Sequence, residues 1–65
     1  MKNEIILRTE ENGIAEVIHL YDFEHLDHYY CDSINMPCYR ILCGNRFYYY
    51  PKETTQIIEI KIHNN

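Results

Sequence analysis

The stretch EIILRTEENGIAEVIHLY, residues 4–21, decides the beginning of the fold. At its centre, Asn12-Gly13 is the strongest short hairpin signal, because a type I′ turn requires positive φ at both central residues. A turn at these residues pairs the flanking segments in one register, with Leu7 opposite Ile18. One face of the hairpin then carries an apolar patch, which consists of Ile5, Leu7, Ile18 and Leu20. The sequence therefore predicts an antiparallel hairpin with one face in the core.

A second hairpin is predicted at CYRILC and RFYYY, residues 38–43 and 46–50, which flank Gly44-Asn45. Glycine at the first central position is typical of a type II′ turn. The pairs across the two strands are then Leu42 with Phe47, Ile41 with Tyr48, Arg40 with Tyr49 and Tyr39 with Tyr50. Both faces of these strands are apolar enough to be covered, so we expect this hairpin at the centre of the sheet.

Residues 22–31, DFEHLDHYYC, show a different period. Apolar side chains recur there with helical spacing, at Phe23, Leu26 and Tyr30. This spacing predicts a short amphipathic helix, which Asp22 caps at its N-terminus. Residues 32–37 are predicted to form a loop, because Pro37 disfavours helix in the residue before it.

The last predicted strand, QIIEIKI, spans residues 56–62 and alternates between isoleucine and polar or charged residues over most of its length. The residues predicted to face the core are Ile58, Ile60 and Ile62. Ile57 lies on the opposite face, and an isoleucine-rich sheet edge invites pairing with a second copy of the chain. A homodimer through strand 56–62 is therefore one predicted form of association.

Together these elements predict the order ββαβββ within a single compact domain of residues 1–65. The predicted fold class is α+β, a small antiparallel sheet or partly open barrel with one short helix. A domain of this size buries only about 60% of the surface of its unfolded chain, so its core is small. The hydrophobic content of 46% nevertheless excludes a disordered acidic tail.

The N-terminal sequence and the cysteines predict a cytoplasmic protein. MKNEIILR has no apolar signal region, and no run in the chain approaches the roughly 18 apolar residues of a membrane span. Three cysteines cannot all pair within one chain, which favours a reducing compartment.

Metal binding and catalysis are both disfavoured by the spacing of the candidate residues. His25, His28 and Cys31 follow one another at three-residue intervals in the predicted helix. The third side chain therefore lies about 240° around the helix from the first, and the three cannot converge on zinc. A domain this small also rarely encloses a substrate pocket of about 300–1,000 Å³ beside its core. The sequence predicts no metal, no cofactor and no enzymatic activity.

The segment RFYYYPK, residues 46–52, supports an alternative function. Aromatic residues on a strand between Arg46 and Lys52 are typical of a surface that stacks single-stranded nucleic acid, at about 1–3 kcal/mol for each base. The acidic charge of the rest of the chain opposes phosphate binding. Direct nucleic-acid binding is therefore the less favoured prediction.

Charge is the feature that points most directly to a partner. Residues 9–39 carry a net charge of −7 and contain no lysine or arginine, whereas residues 1–8 carry +1 and residues 40–65 carry +2. Such an acidic region attracts basic surfaces, and the tyrosines within it supply contact area at low entropic cost. The predicted partner-binding residues are Glu16, Tyr21, Asp22, Glu24, Asp27, Tyr29 and Asp32.

The predicted function is a small acidic protein-binding module whose partner is a protein with a basic surface. In its sharper form, the chain is an inhibitor or regulator of a nucleic-acid-handling protein and acts as a nucleic-acid mimic, of the kind that phages or mobile elements encode. Two alternatives stay open: a single-stranded nucleic-acid binder that uses residues 46–52, and an assembly subunit that acts by self-association.

Overall fold

The computed structural model describes residues 2–63 and shows an all-β fold. Its strands are β1 (Glu4–Glu11), β2 (Ile14–Tyr21), β3 (Phe23–Cys31), β4 (Met36–Cys43), β5 (Arg46–Pro51) and β6 (Thr55–Lys61). A turn of 3-10 helix, Lys52–Thr54, joins β5 to β6. The strands form two antiparallel sheets, which we call the first sheet (order β2-β1-β6) and the second sheet (order β3-β4-β5).

The first hairpin has the predicted register and turn. Leu7 pairs with Ile18, and Glu11 pairs with Ile14. Asn12 and Gly13 have φ values of 53° and 79°, as a type I′ turn requires. The prediction is confirmed because the turn signal and the apolar pattern of both strands specify the same register.

The second hairpin also has the predicted register, with Arg40 opposite Tyr49, but its turn type differs from the prediction. Gly44 and Asn45 have φ values of 55° and 66°. Positive φ at both positions is the signature of a type I′ turn, so the predicted type II′ turn is wrong. Asparagine adopts the left-handed conformation more readily than other residues with a side chain, which makes Gly-Asn compatible with type I′.

The helix predicted for residues 22–31 is wrong, because this segment is strand β3. Phe23 pairs with Cys43 and Leu26 pairs with Ile41, and the register shifts between these two pairs. The extra residue is Glu24, which forms a β-bulge and lets two apolar residues three positions apart face the same side. The apolar spacing that resembles a helix thus results from a bulged strand.

The α+β class and the order ββαβββ are therefore wrong, and the fold is a six-stranded all-β structure over the described residues 2–63. The 3-10 turn is the only helical element in that range. No helix among these residues is long and apolar enough to cross a membrane.

The inward face predicted for the last strand is partly wrong. Leu7 pairs with Ile57 whereas Ile6 pairs with Glu59, so Ile58 is an extra residue in a second bulge. Ile57 packs against the core, and Ile60 pairs with the buried Ile5 on the same side of the sheet, as predicted for Ile60. The three residues predicted to face inward are nevertheless exposed, namely Ile58, Ile60 and Ile62. Strand β6 lies at an edge of the first sheet, and its pairing with a second copy stays a prediction.

Both sheets contribute to one core, and this makes the fold a small sandwich. Ile5 and Leu7 come from the first sheet, and Phe23, Ile41 and Cys43 come from the second. The inner faces of the two sheets are held together by burial of these side chains. The outer face of the second sheet, which the sequence predicted to be covered, is open to solvent at β5.

Candidate functional site

The most distinctive surface of the protein is the outer face of the second sheet. Alternation along β3, β4 and β5 places on this face His25, Cys38 and Leu42 together with a group of five side chains that contact one another around Arg40. We call this group the aromatic face, and it consists of Asp27, Tyr29, Arg40, Phe47 and Tyr49. Its three rings are strongly exposed, with Tyr29 at 40%, Phe47 at 53% and Tyr49 at 47% of the maximal accessible area.

Arg40 lies at the centre of the aromatic face and pairs with Asp27. Its Nε donates to Asp27 Oδ1 at 3.0 Å and its Nη2 donates to Oδ2 at 2.5 Å. The hydrogen bond from Arg40 is the main cause that lowers the pKa of Asp27 below its ordinary value of 3.8. The same bond raises the pKa of Arg40. The pair therefore stabilises the fold at pH values above 3.8, and this contribution is lost as the pH falls through the lowered pKa of Asp27.

The rings of the aromatic face pack on this ion pair and on one another. The guanidinium carbon of Arg40 lies 5.1 Å from the ring centroid of Tyr29 and 5.3 Å from that of Phe47. The ring centroids of Tyr29 and Tyr49 are 5.2 Å apart, and those of Phe47 and Tyr49 are 6.4 Å apart. These distances are typical of favourable aromatic and cation–π contacts. The face is therefore exposed and, at the same time, ordered by contacts among its own side chains.

The basic residues of segment 46–52 do not accompany the exposed rings. Arg46 lies over the ring of Tyr48 at 5.9 Å, and Lys52 lies over the ring of Tyr39 at 5.5 Å. Tyr39 and Tyr48 pack against the core, on the face of the second sheet opposite Phe47 and Tyr49. The basic side chains that would contact phosphate groups therefore lie on the opposite face from the exposed rings that would stack on nucleobases. Arg40, which does lie beside the exposed rings, is already neutralised by Asp27.

The residues predicted from sequence to bind a partner are spread over three regions. Asp27 and Tyr29 lie together on the aromatic face. Glu16 and Asp32 lie at the end of the sandwich that carries the β1–β2 turn, whereas Tyr21, Asp22 and Glu24 lie at the opposite end. The structure thus places two of the seven predicted residues on the aromatic face and the other five at the two ends of the sandwich.

Three members of the aromatic face were missing from the predicted partner-binding set: Arg40, Phe47 and Tyr49. The register of the second hairpin placed Arg40 opposite Tyr49 and was the sequence signal for this cluster. The pairing of β3 with β4, which brings Asp27 opposite Arg40, was hidden by the helical spacing of residues 22–31.

The histidines and cysteines considered as metal ligands are distributed along a strand. Strand alternation places His28 on the opposite face of β3 from His25 and Cys31. Within residues 2–63, no three histidine, cysteine or acidic side chains are placed to hold one metal ion. Cys31 is partly exposed, and its Sγ lies 3.1 Å from Ser33 Oγ.

The three thiols differ in acidity, and this predicts selective labelling. The hydrogen bond with Ser33 is the main cause that lowers the pKa of Cys31, whereas burial raises the pKa of Cys38 and of Cys43. Because the thiolate is the nucleophile, iodoacetamide at about pH 8 should modify Cys31 at least about tenfold faster than the other two. Peptide mapping by mass spectrometry at short times measures this order, and labelling in denaturant is the control that should remove the difference. Faster modification of Cys38 in the folded protein would contradict it.

The aromatic face combines exposed rings with an ion pair that these rings contact. Comparison with protein-family models, curated proteins and solved structures found no match for this chain.

Proposed function

We propose that this chain is a protein-binding module that uses the aromatic face to bind a partner with a basic surface. The observation that supports this proposal is the cluster of three exposed rings around Arg40. Tyrosine, phenylalanine and arginine are enriched at protein interfaces and dominate their binding energy. Contiguous exposed apolar area on a small soluble domain is typical of an interaction site.

The order of the aromatic face favours tight binding. Association costs about 0.5–1.5 kcal/mol for each flexible side chain that becomes immobilised at an interface. On this surface Tyr29, Phe47 and Tyr49 already contact one another or Arg40 in the free protein, so less of this cost is left for the binding step. The alternating strands of the second sheet hold the rings at fixed separations.

The charge of the protein selects the class of partner. The net charge of −4 accelerates encounter with a basic surface and slows encounter with nucleic acid. The exposed faces of the rings attract cationic side chains, as they already do for Arg40. Proteins that handle nucleic acids carry basic surfaces, and we propose one of these as the partner. Occupation of its basic surface by this acidic chain inhibits it by excluding the nucleic acid.

Neighbouring tyrosines on opposite faces of β3 provide the test. Tyr29 belongs to the aromatic face, whereas Tyr30 is also exposed, lies on the other side of the strand and donates a hydrogen bond to Asn35. The chain is immobilised and exposed to a lysate of the cells in which it occurs, and the proteins that it retains are identified by mass spectrometry. A retained protein is then purified, and its binding to the chain is measured by titration. We expect Tyr29→Ala and Tyr49→Ala to weaken its binding by about 30-fold or more, because interface hot spots contribute 2 kcal/mol or more.

The matched control is Tyr30→Ala, which should bind as tightly as the wild type. The association rate should also fall as salt rises from about 50 to 500 mM, because the screening length shortens. Melting temperatures of the variants confirm that each is folded. Equal binding by Tyr29→Ala, Tyr49→Ala and wild type would disprove the proposal, and so would tight binding of single-stranded DNA or RNA instead of a protein.

A further inference from the structure

A groove lies at the end of the sandwich that carries the β1–β2 turn, and none of the five residues of the aromatic face lines it. It has a volume of about 450 Å³ and opens between the two sheets. The β3–β4 loop and the 3-10 turn after β5 complete its walls. Its apolar lining residues are Ile18, Ile34, Met36, Tyr50 and Pro51.

The rim of this groove is acidic. Four carboxylates line it, and they are Glu10, Glu11, Glu16 and Glu53. Arg8 lies 3.4 Å from Glu10 and partly neutralises that residue, and Lys52 lies over the ring of Tyr39. The rim of the groove therefore has an excess of negative charge, whereas its walls are largely apolar.

Thr55 is an independent sign of a ligand in this groove. Thr55 is one of the residues that line the groove, and it is only 8% exposed. Its Oγ1 is the one buried side-chain polar atom among residues 2–63 that has no hydrogen-bond partner. An unsatisfied buried hydroxyl costs about 1–3 kcal/mol, so this group calls for an explanation, and a ligand in the groove supplies one.

We propose that the groove binds a lysine or arginine side chain from an extended basic segment of a protein partner. An aliphatic stem covers the apolar walls, while the cationic head lies among the carboxylates of the rim. The ring of Tyr50 offers a further contact for the cation. Because Thr55 Oγ1 is buried in the free protein, it gains a partner from this segment only when the Thr55 side chain rotates toward the groove. This inference rests on the proposed protein-binding function and adds a second contact site outside the aromatic face.

The test is a titration of the whole, isotopically labelled chain with acetylated tetralysine amide, followed by NMR. We expect chemical-shift changes that cluster at groove residues such as Glu16, Tyr50 and Thr55. Acetylated tetraglutamate amide should cause none. Glu16→Gln and Glu53→Gln should each weaken tetralysine binding by about fivefold, because each removes one charge beside the cation. Glu59→Gln is the matched control, because it removes an exposed carboxylate on β6 outside the groove. This variant should bind tetralysine as tightly as the wild type.

Thr55→Val separates recognition from stability. Valine has nearly the same shape, so loss of the unpaired hydroxyl should leave the melting temperature unchanged or raise it while binding weakens. An equal loss for Glu16→Gln and Glu59→Gln would overturn the proposal, because it indicates unspecific charge attraction. The proposal would also be overturned if spermine bound as tightly as tetralysine. The same holds if tetralysine caused no chemical-shift changes at the groove residues.

The same titration distinguishes this inference from the proposed function. Tyr49→Ala should leave tetralysine binding unchanged, because Tyr49 lies on the outer face of the second sheet and outside the groove. If tetralysine does not bind, the groove assignment fails while the aromatic face is tested separately by partner binding. If Tyr29→Ala and Tyr49→Ala do not weaken binding of the partner, the aromatic face is not the binding surface, whatever the tetralysine titration shows.

Discussion

Replacing Leu7 by alanine is expected to unfold most of the protein at room temperature. Leu7 is fully buried in the core cluster, and Leu→Ala changes at such sites cost about 2–5 kcal/mol. A single core in a domain of this size rarely contributes more than about 3–5 kcal/mol of stability. Ile41→Ala should have the same effect from the second sheet, because both side chains fill one core. Urea unfolding followed by circular dichroism and by tyrosine fluorescence measures both changes.

The control for this prediction is Ile14→Ala. Ile14 is 73% exposed near the β1–β2 turn, so its truncation should change the free energy of unfolding by about 0.5 kcal/mol or less. The common core predicts one cooperative transition for all variants. Separate transitions for the two sheets, or a Leu7→Ala variant as stable as the wild type, would contradict that core.

Adjacent tyrosines on β5 are expected to differ sharply in their contribution to stability. Tyr48 packs against the core, and its replacement by alanine should cost about 3 kcal/mol, the lower end of the range for core aromatic residues because it is only half-buried. Tyr49 points to the aromatic face, and its replacement should cost about 1 kcal/mol or less. The measurement is chemical unfolding of the two variants side by side.

The contrast between these two variants tests the register of the second hairpin. A shift by one residue would turn Tyr49 inward and Tyr48 outward, because strand side chains alternate with a period of two. Equal destabilisation by both substitutions, or a larger effect at Tyr49, would therefore contradict the observed pairing of Arg40 with Tyr49. Tyr49→Ala must also stay folded for the partner-binding test of the aromatic face to be interpretable.

Hairpins were the part of the fold that the sequence predicted best. Asn12-Gly13 and Gly44-Asn45 are local turn signals, and each specifies its register over the short distance between its strands. The alternation of the flanking residues agrees with that register, so two independent local signals coincide. The type of the second turn was predicted wrongly because asparagine tolerates positive φ as glycine does.

Bulges account for the two largest errors of the fold prediction. At Glu24 an extra residue brings Phe23 and Leu26 to the same side and imitates the period of a helix. At Ile58 an extra residue places Ile57 on the same side of β6 as Ile60, where strict alternation would separate them. A bulge is compatible with the strand sequence, but its position depends on the strand that pairs with it, which lies far away in the chain.

The aromatic face shows the same division between local and tertiary information. The sequence by itself determined the two hairpins, the acidic character of residues 9–39 and the opposition of Arg40 and Tyr49. Only the tertiary structure decided that Asp27 neutralises Arg40 and that the rings face solvent. The physical reason is that β3 finds its place by pairing with β4, and the exposed side of the second sheet is set by its packing against the first.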